Sequence, residues 1–359
     1  MDSLKYIAGH FGLIGNILEV SPLGEGLIND TYIVRTDGKD DYVLQRINHA
    51  IFKDVELLQR NIELVTSHIR ARLEASGEND IERKVLEFIR LKDSDLTFYH
   101  DGFSYWRVSR YIKDSVTVSE VTPESSRQAG IAFGEFQAML ADLPHQLGET
   151  IPDFHNMELR ARQLAEAVEA DAVGRCAQPQ VQQLLVEMNE NMYEMCKAER
   201  MHREGLLPKR ICHCDTKVSN MLYDKGGKVL CVIDLDTVMP SFVFSDYGDF
   251  LRTAANKVAE DCPQIDQVEF DMEVYTAFTD GYLQSASGFL TDVEKDNLPY
   301  AVALFPFMQA VRFLTDYING DTYYKIAYPE HNLVRTRNQM ALFRSVLSHM
   351  DQMQAIVSE

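Results

Sequence analysis

The sequence predicts a two-lobed α+β protein, with a small N-terminal lobe of antiparallel sheet plus one helix and a larger, mainly helical C-terminal lobe. Three observations predict it. Short β-rich runs broken by turn residues fill positions 14–48, a helical period takes over at 53–75, and beyond about residue 113 long helical patterns dominate. At 359 residues the chain is too long for one ordinary core and suits two domains or lobes.

The stretch "IGNILEVSPLGEGLINDTYIVRTDGKDDYVLQRIN" reads as a meander of three antiparallel strands, with a glycine loop in the first turn and an Asp-Gly turn in the second. Val55, Leu58, Ile62, Val65, Ile69 and Leu73 then recur at three- and four-residue steps, the mark of one amphipathic helix. "KVLEFIRL" and "SYWRVSRYI" read as two further strands around a polar turn at 92–102, completing a five-stranded sheet. A short hinge at about 110–114 divides the lobes into residues 1–110 and 111–359. Beyond it, "SSRQAGIAFGEFQAML", "MELRARQLAEAVEADAV" and "QVQQLLVEMNENMYEMCKAERM" are helical, interrupted only by short β-type segments near 219–223 and 229–233. Ligands are expected in the cleft between the lobes.

Composition narrows the function. A 45% hydrophobic and 25% charged chain has enough apolar mass to fold nearly throughout. A net charge of -20 argues against nucleic-acid or anionic-membrane partners, which need basic surfaces. "MDSLKYIAGHFGL" lacks the pattern of a secretory signal. The most apolar run, "AVALFPFMQAV", is shorter than the roughly 20 residues of a membrane span and contains Pro306. A cytosolic protein is expected, with its six scattered cysteines reduced and mostly buried.

The chemistry concentrates in "ICHCDTKVSNML", residues 211–222. Zinc is one reading of Cys212, His213 and Cys214, but the run lacks the two-to-four-residue gap that wraps a tetrahedral ion, and no second Cys/His pair follows. Taken singly, an Asp or Asn in a turn usually caps backbone, and a lone His usually packs in a core. Together, His213, Asp215 and Asn220 form H-x-D-x-x-x-x-N, and Asp234 closes the following apolar strand "VLCVIDLD". That is the pattern of a kinase catalytic loop, in which the aspartate accepts the hydroxyl proton while the asparagine and the strand-end aspartate hold Mg²⁺. Mg²⁺ takes hard oxygen ligands, which Asn220 and Asp234 supply. In the loop "LGEGLINDTY", Gly24 and Gly26 suit a simple hairpin turn. On the first turn of a small lobe, its backbone N–H groups would cover nucleotide phosphates, with Asn29 or Thr31 adding side-chain donors.

These motifs and the lobe order resemble the aminoglycoside phosphotransferase and choline kinase family, a protein-kinase-like fold acting on small molecules. More closely, "GEGLINDTY", "NIELVTS", "HCDTKVSNML", "VIDLDTVMP", "DYGDFLR", "VRFLTDYINGD" and "YPEHNLVRTR" resemble the N-acetylhexosamine 1-kinases. Those enzymes pass the γ-phosphate of ATP to the anomeric hydroxyl of N-acetylglucosamine or N-acetylgalactosamine. The likeness runs from about residue 7 to 345. It implies ATP and Mg²⁺ as cofactors, a nucleotide-binding lobe at 1–110 and a catalytic, sugar-binding lobe at 111–359. By the same resemblance Asp215 is the base and Asn220 and Asp234 are the Mg²⁺ ligands. Gly24, Gly26, Asn29, Thr31, Gln45, Glu63, Arg110 and Ile112 then serve the nucleotide, and Lys217, Asp236, Arg312 and Asp316 serve the substrate side.

One departure stands out. The strand "DYVLQRIN" has Gln45 where a kinase usually carries the lysine that reaches the phosphates and pairs with a helix glutamate, a position Glu63 resembles. Arg46, being adjacent, should point to the opposite face. What neutralises the phosphates is therefore left open. Between 312 and 337 four basic residues stand against three acidic ones, and such mixed donors and acceptors suit a neutral sugar better than a cationic acceptor, which favours clustered carboxylates or an aromatic cage. The alternatives are a kinase of another small alcohol, such as a different sugar, homoserine, an amino alcohol or an aminoglycoside, and a non-catalytic kinase-like binding module. A protein kinase is disfavoured by the lack of "DFG" and "APE" segments.

Overall fold

The computed structural model describes residues 2–24, 29–118 and 120–358. The chain forms two compact units. The first comprises Met1–Thr117 together with Asp142–Pro152 and Met221–Met239; the second comprises Val118–Ala141, Asp153–Asn220 and Pro240–Glu359.

In the first unit, helix α1 (Asp2–Ala8) precedes strands β1 (Ile17–Pro22), β2 (Asp30–Thr36) and β3 (Tyr42–Ile47), then helix α2 (Val55–Ala75) and strands β4 (Phe98–His100) and β5 (Tyr105–Arg110). The five strands form one antiparallel sheet in the order β1-β2-β3-β5-β4. The fourth strand is not "KVLEFIRL" but the shorter Phe98–His100, within the segment expected to be a turn. The reason lies in how the outer edge of β5 is shared. Phe98 to His100 pair with its first half, whereas Ile89 N donates to Val108 O (2.8 Å) and Arg110 N to Glu87 O (2.9 Å) along its second half. Residues 87–89 thus satisfy only a few ladder groups before Leu91 turns away to bridge Phe11.

Alternation along the strands sends Val20, Val34, Tyr42, Leu44, Trp106 and Val108 to one face, where Ile7, Ala8 and Phe11 complete a core. Gln45 and Arg107 fall on the opposite face, towards α2. That helix begins at Asp54, whose carboxylate accepts the N–H of Leu57, and it buries the predicted stripe of Val55, Leu58, Ile62, Val65 and Ile69. A hairpin of Met221–Tyr223 and Val229–Val232 joins the same unit through a bridge between Val116 and Tyr223.

The second unit is helical: α3 (Pro123–Leu140), α4 (Met157–Ala170), α5 (Pro179–Met195), α6 (Lys197–Arg203), α7 (Phe244–Ala254), α8 (Met272–Ala286), α9 (Asp292–Asp296), α10 (Leu298–Ile318), α11 (His331–Ser348) and α12 (Met350–Ser358). By length and composition α10 could cross a membrane, but it is mostly buried, packing on α4, α5, α7 and α11 as a core helix. Helices α3 and α8 approach closely because Gly130 and Gly281 lack side chains. A Cβ at either would sit 2.2 Å from a backbone carbonyl oxygen of the facing helix.

Candidate active site

The short strand Arg210–Cys212 feeds the chain into the loop carrying Asp215. Cys214 adopts φ 64°, a left-handed conformation uncommon for a residue with a side chain, and it is buried. Asp246, fully buried on the first turn of α7, holds the loop in that shape. One of its oxygens accepts the backbone N–H of His213 (2.9 Å) and the amide of Gln137 (2.7 Å), and the other accepts the N–H of Cys214 (2.8 Å). The Thr216 hydroxyl adds a bond to the Asp246 carbonyl (2.8 Å). Burial pushes the Asp246 carboxyl above its ordinary range, opposed by His213 and by these donors. A strained turn persists where its surroundings over-determine it, and here three loop residues are tied to one side chain and its own backbone.

The loop presents Asp215 with 21% of its side chain exposed. Lys217 Nζ lies 2.6 Å from one carboxylate oxygen, and Asn220 Nδ2 donates to the other (3.2 Å) and to the Asp215 carbonyl (2.8 Å). Burial works against the Lys217 ammonium, but Asp215 outweighs it and holds the amine above its usual pKa. Because two acceptors face its nitrogen, the orientation of the Asn220 amide is fixed, and its oxygen is the atom left for a hard cation. Asp234 is exposed, in the left-handed region at φ 60°, ψ 56°, just before the 3-10 turn Leu235–Thr237. An amide oxygen and a carboxylate are the donor chemistry Mg²⁺ takes. The neighbouring His213 ring is buried edge-on to Phe133 and Phe136. Cys212 donates to the Phe242 carbonyl, and burial raises the thiols of Cys212 and Cys214 well above their ordinary pKa.

The first unit holds a second polar constellation. Arg107 on β5, 2% exposed, is registered opposite Gln45 on β3. Its Nε donates to Gln45 Oε1 (2.9 Å), one Nη donates to Gln59 Oε1 on α2 (3.3 Å), and the same Nη stands 2.5 Å from the buried Asp236 carboxylate. Asn29 donates to the other Asp236 oxygen (2.7 Å) and accepts the Asn48 N–H (2.9 Å), so its amide serves these partners rather than projecting a donor. Gln45 also donates to Thr31 (3.3 Å). Glu63 does not touch Arg107; it accepts from Thr97, which in turn receives the Gln59 amide. Arg110 spends its guanidinium on Asp40 and Glu87, and Ile112 is buried. Gly24 has φ 70°, and Gly26 lies outside the described residues.

In the second unit, Arg312 faces the rings of Phe154 and Tyr324 (5.6 and 5.7 Å to the centroids) and donates to Gln309 (3.1 Å). Arg160 donates to Gln163 and to the carbonyls of Asp153 and Phe154. Burial and then Arg312 push the Arg160 pKa down to about 10. His155 is held well below its usual value by burial, then by Arg312, Arg160 and Arg252. Arg252 is paired with Asp249 and Glu260, and Asp249, raised by burial, also senses Arg252, Asp215 and Lys217. Asp316, expected to meet substrate, has its carboxylate taken by the N–H groups of Thr322, Tyr323 and Tyr324 and by Asn332.

Sequence reading missed Asp246, Arg107, Arg160 and His155. A signal existed for Asp246, an acid amid the aromatic residues of "FSDYGDF", since a buried carboxylate demands donors. By strand alternation alone Arg107 is the polar alternate of a half-solvated strand.

A β-sheet unit, a helical unit and a braced H-x-D-x-x-x-x-N loop define a phosphotransferase of the kinase-like class. The chain belongs to the phosphotransferase enzyme family, APH, whose family model matches residues 19–283. It is a small-molecule kinase of the aminoglycoside phosphotransferase and choline kinase kind. Its fold is similar to that of an aminoglycoside phosphotransferase from Alicyclobacillus acidocaldarius (TM-score 0.63, 14% identity, covering 97% of this chain and 96% of that one). It is also similar to a choline/ethanolamine kinase family protein from Mesorhizobium loti (0.57, 15%, 99% and 98%) and to an amicoumacin kinase in complex with AMP-PNP and Ca²⁺ (0.58, 13%, 95% and 92%).

Proposed function

We propose that the protein transfers the γ-phosphate of ATP to the anomeric hydroxyl of an N-acetylhexosamine, either N-acetylglucosamine or N-acetylgalactosamine. The observation that carries the choice of acceptor is the pair Arg160 and Arg312: Arg160 donates to Gln163 and to the carbonyls of Asp153 and Phe154 while its buried Nε keeps an unmet N–H, and Arg312 donates to Gln309. Arg312 already lowers the Arg160 pKa there, so a cationic amine or aminoglycoside would add a third like charge. Neutral sugar oxygens and an acetamido carbonyl can accept the arginine N–H groups, with Phe154 and Tyr324 giving apolar faces to the ring. Asp316 acts on the acceptor only through the loop it holds.

In this reading Asp215 orients the sugar hydroxyl and accepts its proton, its carboxylate fixed by Asn220 and Lys217. Lys217 keeps its charge and faces the negative charge of the transferring phosphoryl group. On the sequence motif we assign Mg²⁺ to Asn220 and Asp234; when bound it neutralises charge on the phosphate oxygens. An ADP-release assay over N-acetylhexosamines, plain hexoses, ethanolamine and aminoglycosides tests the reading. Turnover is expected with N-acetylhexosamines, and turnover confined to the amines would sink it.

A further inference from the structure

A kinase fold without its strand lysine still has a cation at that place in the sheet, supplied by the next strand. We propose that Arg107 takes over the lysine's structural duty: it is a positioning residue that holds Asp236 and, through it, the turn that begins at Asp234.

The geometry gives each part. Gln45 occupies the lysine position, and its directly registered partner across the β3–β5 ladder is Arg107, whose Nε it accepts. The guanidinium does not point into solvent. It is 2% exposed and lies against the buried Asp236 carboxylate, which Asn29 grips from the other side, while the Thr150 hydroxyl donates to the Asp236 carbonyl (2.9 Å). A charge neutralised this closely is poorly placed to serve as a mobile phosphate ligand. A planar fork whose angle is fixed by hydrogen bonds to Gln45 and Gln59 sets its charge against Asp236 as an ion pair, a placement that a lysine ammonium cannot fix in the same way. The clamped residue lies in the 3-10 turn Leu235–Thr237, directly after Asp234 in its left-handed conformation. That conformation costs energy for a residue with a side chain and must be held by its surroundings. Gln59, Thr97 and Glu63 extend the chain into α2, so the helix braces Arg107 through hydrogen bonds rather than through a direct glutamate pair.

The inference rests on the phosphotransferase reading and not on the sugar, so its test uses no acceptor. The double variant Arg107→Met/Asp236→Asn removes both buried charges together and avoids stranding one. Mn²⁺ binding is followed by electron paramagnetic resonance with AMP-PNP present, AMP-PNP binding is measured separately without metal, and melting is recorded alongside. The double variant is expected to melt close to wild type, to bind metal-free AMP-PNP within about twofold, and to bind Mn²⁺ about 10-fold more weakly, the scale of losing an outer support of a metal site. Unchanged Mn²⁺ affinity would make the pair a buried structural contact only, and a collapse of metal-free AMP-PNP affinity would make Arg107 a direct phosphate ligand. Either result overturns the proposal. If the double variant does not fold, Arg107→Lys decides, since it keeps the charge and loses the fork. Weaker Mn²⁺ binding in that folded protein supports the positioning role, and wild-type binding overturns it.

Discussion

Lys217 Nζ stands 2.6 Å from Oδ1 of Asp215, on a loop whose other carboxylate contact is the Asn220 amide at 3.2 Å. The carboxylate proposed as the base is therefore held from both sides. Asp215→Asn preserves the shape and can still meet Lys217 through its carbonyl oxygen, but it cannot take a proton. It is expected to lower kcat by about 10²- to 10⁴-fold while leaving melting and nucleotide affinity nearly unchanged. A variant with near wild-type kcat would remove Asp215 from the base role.

Asp246 should behave differently, because it acts through the loop. In Asp246→Asn one oxygen becomes an NH₂ group facing a backbone N–H of His213 or Cys214, so at least one buried donor loses its acceptor. A stability loss of about 1 to 3 kcal/mol is expected from calorimetry. Displacement of the loop should also lower kcat by about 10²-fold, with substrate affinities little changed. Full activity in a destabilised variant would show that Asp246 supports the fold alone.

The contrast between Asp215 and Asp246 shows what the sequence could reveal. Asp215, Asn220 and Asp234 can be proposed from the sequence because their spacing on one loop and strand end follows the kinase pattern. Asp246 acts from 31 positions downstream, through backbone N–H groups that have no residue signature. Arg107 was hidden for a related reason: alternation in "SYWRVSRY" marks it as polar, and only the partners Gln45, Gln59 and Asp236 show that its face is buried. The five-stranded sheet was legible from turn residues, yet its fourth strand was misplaced, because two separate segments share the edge of β5.

Metal dependence follows from the oxygen donors. Activity should require Mg²⁺ or Mn²⁺ and survive a zinc-selective chelator. Loss of activity to that chelator, restored by zinc, would point back to Cys212, His213 and Cys214 as a metal site.

Arg312→Ala tests the acceptor side. Removing a charged donor from sugar oxygens should lower kcat/KM for the N-acetylhexosamine by about 1.5 to 3 kcal/mol, with little change in KM for ATP. It should also relieve Arg160, whose low pKa owes its second-largest cause to Arg312. Equal weakening of both substrates together with a lower Tm would make Arg312 a structural residue.

Transfer of the phosphoryl group to the anomeric oxygen is read out by ³¹P NMR of the product. Incubation with ATP, Mg²⁺ and N-acetylglucosamine or N-acetylgalactosamine is predicted to give a phosphorus resonance coupled to the anomeric proton. A resonance coupled instead to the C6 methylene protons, or no phosphorylated sugar from either acceptor, would contradict it.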